Sequence, residues 1–177
     1  MNYVLTPLEE EIKTMYLSFG IRRPDQIELY KIAEKLDIWI HIADYESQAI
    51  EREEGLFSIV LDIYKSEPEQ WDDFGHELAH ILYHSGNQLE MTETFSEFQE
   101  VKANNFALQF CVPTFMLIDS GLPPTWNEAV LFIMETFNVT QNSAQKKLIH
   151  FERQVIGFQF HESIWKDITR YEKEIVI

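Results

Sequence analysis

His76-Glu77-Leu78-Ala79-His80 is the stretch whose residue types and spacing could do chemistry. Residues four apart on an α-helix share one face, with Cβ atoms about 5–6 Å apart, so the two imidazoles can converge on a single metal ion. Zn²⁺ favours neutral imidazole nitrogens, and a coordination position left open by the protein lets the metal hold and acidify a water. Glu77, beside the first histidine, is placed to act as base toward that water. An amphipathic helix with two packed histidines would account for the apolar stripe of Phe74, Leu78, Ile81 and Leu82. It would not account for a glutamate set between two histidines at metal-binding spacing.

Two histidines do not make a durable catalytic zinc site, so a third protein ligand is required. Glu97 and Glu100 lie on the next expected helix, and Glu90 and Glu93 lie in the loop before it. Glu100 is the preferred ligand, because Ala103 and Ala107 share its face and allow that helix to approach the metal helix closely. Glu97, one turn earlier, is the alternative. A zinc protease commonly has a second donor to the oxyanion, and Tyr83, His84, His150 and His161 are candidates that no spacing singles out. His84 continues the series 76, 80, 84, but two helical turns from His76 is about 12 Å, too far to share the ion.

The elements that must position these residues are legible in part. Thr6-Pro7-Leu8-Glu9 has the form of a capping box with proline at the first helical position, and Gly20 ends the segment. A second helix is expected from Pro24 to about Leu36. Ile38, Ile40 and Ile42 then alternate with Trp39 and His41 as in a strand, with His41 a packed or strand-surface residue rather than a ligand. Strands around Gln48–Arg52 and over Leu56–Asp62, turning near Glu53-Glu54-Gly55, complete a small antiparallel sheet whose edge could take an extended peptide. Ser66-Glu67-Pro68-Glu69 opens the metal helix, which is expected to reach His84 and stop at Gly86. Thr94-x-x-Glu97 caps a helix from about Phe95 to Cys111, stopped by Val112-Pro113, with a short turn at Thr114–Asp119. Thr125 and Thr140 start two more, to about Phe137 and Gln154, and the apolar tail from Val155 is expected to dock on the body.

The chain has 177 residues, 45% of them hydrophobic, with 14 Lys+Arg against 30 Asp+Glu and a net charge of −16. That charge opposes direct binding to nucleic acid and would steer a basic protein partner toward the chain. No apolar run approaches the roughly 20 residues needed to span a membrane. The amino terminus lacks a basic stretch followed by an apolar core, and Cys111 is the sole cysteine, which together point to the cytoplasm.

HELAHILYH at 76–84, followed by the E-x-x-A-N-x-F-A pattern at 100–107 and by Pro113, resembles the ImmA/IrrE family of metallo-endopeptidases. Phe137-x-Val139-Thr140 with Ala144 and Leu148 is similar to the helical region that follows in such proteins. The resemblance implies His76, His80 and Glu100 as zinc ligands and Glu77 as catalytic base. It implies an α+β fold, mainly helical and zincin-like, with a small antiparallel three-stranded sheet beside the His-Glu-x-x-His helix and a C-terminal helical region. The expected division is 1–120 for the metallopeptidase domain and 121–177 for helices packed on it. The resemblance further implies site-specific cleavage of a helix-turn-helix repressor of a prophage, mobile element or stress response. A zinc-containing interaction protein that displaces a repressor without cutting it is the rival. DNA reading by Trp126–Gln154 is disfavoured, because those helices lack a basic face. Two departures from the family pattern, Gly75 before the first histidine and Val112 where methionine is common, leave the chemistry intact.

Overall fold

In a computed structural model, which describes residues 3–53, 55–83 and 93–175, the chain is a helical body around one small sheet. Helix α1, Pro7–Ser18, starts from the expected capping box: Thr6 Oγ1 accepts from the Glu9 amide and the Glu9 carboxylate from the Thr6 amide. It buries Ile12 and Tyr16, whose hydroxyl donates to the Phe110 carbonyl at 2.9 Å.

The single helix expected from Pro24 to Leu36 is broken. Pro24–Gln26 forms a 3₁₀ turn, Ile27 and Glu28 are extended, and helix α2 covers only Leu29–Lys35. The Gln26 side-chain oxygen accepts from the amides of Arg22 and Arg23, which closes the turn locally and competes with helix propagation. Asp37, at φ 56°, then turns the chain into strand β1, Ile38–Ala43.

Strands β2, Gln48–Glu53, and β3, Leu56–Asp62, follow as expected, but the sheet is mixed rather than antiparallel throughout. Its order is β1-β3-β2, with β1 parallel and β2 antiparallel to β3. Ser58 to Leu61 are all buried, so burial favours β3 in the centre and leaves the more exposed β1 and β2 at the edges. Gly55, at φ 81°, makes the β2–β3 turn. On β1, Trp39 and His41 face outward, and the Arg52 guanidinium stacks 4.0 Å from the Trp39 ring.

Helix α3, Glu67–Tyr83, packs against β3 and β2, and helix α4, Glu93–Cys111, packs along its buried face, where Trp71 and Phe74 meet Phe110. Helix α4 begins before Thr94, so Thr94 is inside the helix rather than its cap. Gly86 and the loop before α4 lie outside the described residues. Helices α5, Thr114–Ser120, and α6, Trp126–Phe137, form as expected, with Thr125 capping the latter. One cluster of buried side chains extends from Ile12 to Phe151, so the C-terminal helices share the core of the rest.

The last helix is the largest departure. Helix α7 runs unbroken from Gln141 to Ile175 instead of ending near Gln154. No proline interrupts it, and Gly157, with open space around it, is too weak a breaker to stop a helix this long. Docking of the tail is not seen at Ile156 and Phe160, which are 63% and 66% exposed.

Candidate metal centre

Helix periodicity places His76 and His80 one turn apart on α3, and α4 crosses beside them with Glu100 facing the pair. His76 Nε2 lies 3.0 Å from His80 Nε2, Glu100 Oε2 lies 3.2 Å from His76 Nε2, and Glu100 Oε1 lies 3.4 Å from His80 Nε2. Tetrahedral Zn²⁺ with bonds of about 2.0–2.1 Å sets its ligand atoms about 3.3–3.4 Å apart. Two imidazole nitrogens and a carboxylate at these separations therefore fit a divalent ion of that size. Among the described residues, these three form the cluster of histidine, cysteine and carboxylate groups able to hold a metal. Glu97 is not part of it. Glu90, and the side chain of Glu93, lie outside the described residues.

Gly75 permits this approach. A Cβ there would stand 2.6 Å from Cys111 Sγ and 3.3 Å from Ala107 Cα. The glycine is thus required by the α3–α4 contact, with Ala103 fully buried on the facing helix.

Glu77 points from the same helix toward the sheet, where its Oε2 accepts the Ala49 amide of β2 at 2.7 Å. Burial raises its carboxyl to about 7, against the lowering effect of that bond and with Asp73 and Glu100 adding to the rise. One turn before it, the Asp73 carboxylate accepts from the Lys65 ammonium at 2.7 Å and from the Ser47 hydroxyl. Ser47 Oγ in turn accepts the Asp62 amide at the end of β3. Asp73 and Glu77, four residues apart, therefore hold the start of β2 on the metal side of α3. Sequence reasoning missed Asp73 and Ser47. The i, i−4 position of Asp73 relative to Glu77 was its one available signal.

Asp72, also missed, fixes α7. Its Oδ2 accepts from the Thr140 hydroxyl and the Ser143 hydroxyl, each at 2.7 Å, and from the Thr140 amide. Burial raises its carboxyl above the usual range, and those hydrogen bonds offset part of the rise. A polar cavity of about 450 Å³ opens between Asp72, Asp73 and His76 on α3, Asn104 and Asn105 on α4, and the first turns of α7.

Of the candidate oxyanion donors, the two that lie among the described residues, Tyr83 and His150, have partners elsewhere. The Tyr83 hydroxyl donates to Glu11 Oε1 at 2.6 Å and its ring stacks edge-on against Phe106. His150 faces Glu9 at 3.5 Å, within a buried polar network. His84 and the His161 side chain lie outside the described residues.

A His-Glu-x-x-His helix under a small mixed sheet, with a glutamate from the next helix, defines a zincin-like metallopeptidase domain. Residues 33–148 match the peptidase M78 family, the IrrE N-terminal-like domain, and the chain belongs to that family. It is 45% identical over 164 residues to the phage-like element PBSX protein XkdA of Bacillus subtilis strain 168, covering 93% of this chain and 82% of that protein. It is 34% identical to YqaB, an uncharacterized protein of the same strain, covering 93% and 95% respectively. In fold it is similar to a Mycobacterium tuberculosis transcriptional regulator, with a TM-score of 0.56 at 15% identity. That match covers 77% of this chain and 44% of the regulator. No described helix is long and apolar enough to cross a membrane.

Proposed function

We propose that the chain is a zinc-dependent, site-specific endopeptidase in which His76, His80 and Glu100 are the metal ligands and Glu77 is the catalytic base. The convergence of those three side chains within 4.8 Å, on the helix that also carries Glu77, is the observation that supports it most. When bound, zinc would supply Lewis acidity toward a water and a peptide carbonyl. Glu77 would take a proton from the attacking water at its carboxylate and deliver it to the leaving amine nitrogen.

The edge of β2 gives the substrate its path. Because β2 pairs with β3 on one side only and directs the Ala49 amide toward α3, an extended peptide can add along that edge. Asp73 and Ser47 hold the edge in place.

The proposed substrate is a regulatory protein, a DNA-binding repressor of a prophage, mobile element or stress response. Two observations favour this: a relative carries the name of a phage-like element protein, and a charge of −16 attracts a basic partner electrostatically. A cytoplasmic setting fits a single buried thiol. Co-expression with a helix-turn-helix repressor encoded nearby tests the proposal. Wild type is expected to cut the repressor at one bond, and Glu77→Gln is expected to bind zinc and leave it intact. Relief of repression by Glu77→Gln without cleavage would favour the non-catalytic interaction protein instead.

A further inference from the structure

The polar cavity beside His76 has a wall in common with the metal centre. An endopeptidase needs such a recess, since backbone pairing along a strand edge gives no sequence preference and side-chain pockets do. Its lining joins polar side chains to Ala107 and Leu108 and carries two acidic groups and one basic one. Asp73 is paired with Lys65, and Asp72 is held by Thr140 and Ser143. Lys146 adds one cation. Asn104 commits its amide nitrogen to the Glu100 carbonyl at 2.8 Å. Asn105 and Asn142 remain, and among the described residues their side-chain amides make no hydrogen bond within the protein.

We propose that this cavity is a specificity pocket, in which Asn105 and Asn142 bind a carboxamide side chain, glutamine or asparagine, on the residue that flanks the cleaved bond. The proposal rests on the peptidase reading above. A carboxamide offers a donor and an acceptor together, so it can pair reciprocally with another amide. An apolar side chain of equal length would displace water from both asparagines without replacing its hydrogen bonds. An acidic side chain would meet Asp72 and Asp73 and a basic one would meet Lys146, so either charge finds a like charge in the wall.

Peptide hydroxamates that differ only in the first side chain beyond the zinc-binding group test this by calorimetry on the zinc-loaded full chain, without requiring turnover. With glutamine, methionine, glutamate and arginine at that place, glutamine is expected to bind about tenfold tighter than methionine and tighter than either charged peptide. Asn105→Leu combined with Asn142→Leu is expected to bring glutamine down to the methionine level, with zinc content unchanged. A preference for methionine, glutamate or arginine would overturn the pocket and leave the metal centre standing. So would a glutamine preference that survives the double variant, or equal binding of all four. If the chain takes up no zinc, the pocket and the peptidase reading fall together.

Discussion

At the scale of single residues, Gly75 carries more of the site than its lack of a side chain suggests. In sequence it stood as a departure from the family pattern, and in the structure it is where α3 comes closest to Ala107 and Cys111 of α4, the helix that carries Glu100. Gly75→Ala would place a methyl 2.6 Å from Cys111 Sγ, and such overpacking costs about 1–3 kcal/mol. A lower Tm and weaker zinc binding are expected, and adding Cys111→Ala is expected to recover part of both, since it removes the closest atom. Failure of the double variant to recover anything would mean that Gly75 acts in another way. His76, Glu77 and His80 were legible because helical spacing alone brings them to one face. Asp73 was not, because its partners Lys65 and Ser47 belong to other elements, and sequence distance does not show that they meet.

At the scale of elements, the sheet and α3 are coupled through Asp73 and Glu77. The strand segments could be read from alternation and turn residues, but their order could not. The position of β3 depends on which strand gains most from being covered on both sides, a tertiary competition that local pattern does not record. With β2 at the edge, the contacts that hold it there become testable. Asp73→Asn weakens a charge-assisted bond to Lys65, and a loss of about 1.5 kcal/mol corresponds to roughly tenfold faster amide exchange where local opening exposes the strand. That acceleration is expected at Ala49 and Ile50, with β1 and β3 little changed. Uniform acceleration across the sheet would instead indicate general destabilisation. The extent of α7 also escaped the sequence: a hydrophobic tail suggested docking, whereas a helix without proline continues through Gly157 and leaves Ile156 and Phe160 exposed.

At the scale of the whole molecule, a buried polar network joins the first helix to the last. The Lys147 ammonium, fully buried, donates to Gln109 and, at 2.7 Å, to Thr114, whose hydroxyl donates to Glu9. Burial raises the Glu9 carboxyl, but His150 facing it at 3.5 Å and hydrogen bonds from Thr114, Thr6 and Tyr3 outweigh that and hold Glu9 well below the usual carboxylate range. Burial lowers Lys147 from its ordinary value of 10.5 to about 7, against the raising effect of Glu9. Between those two values the unfolded chain binds the extra proton, so this group makes stability rise with pH from about 7 upward. Below about 7 the folded state is protonated too, and that slope vanishes. Denaturation midpoints at pH 7 and pH 9 are expected to rise for wild type relative to Lys147→Met. Parallel changes in the two proteins would show that Lys147 stays charged in the fold. None of this network was visible beforehand, since a lysine inside a helix reads as solvent-facing until the neighbouring helices are in place.

The metal centre itself is tested most directly by metal content of the purified chain, compared between wild type, Glu100→Ala and Glu97→Ala. About one zinc per chain is expected in wild type and in Glu97→Ala. Glu100→Ala is expected to lose at least about a hundredfold in affinity, since even changes to groups that only support a ligand cost 10–100-fold. Zinc retained in Glu100→Ala, or absent from wild type, would contradict the assignment of His76, His80 and Glu100 as the metal site.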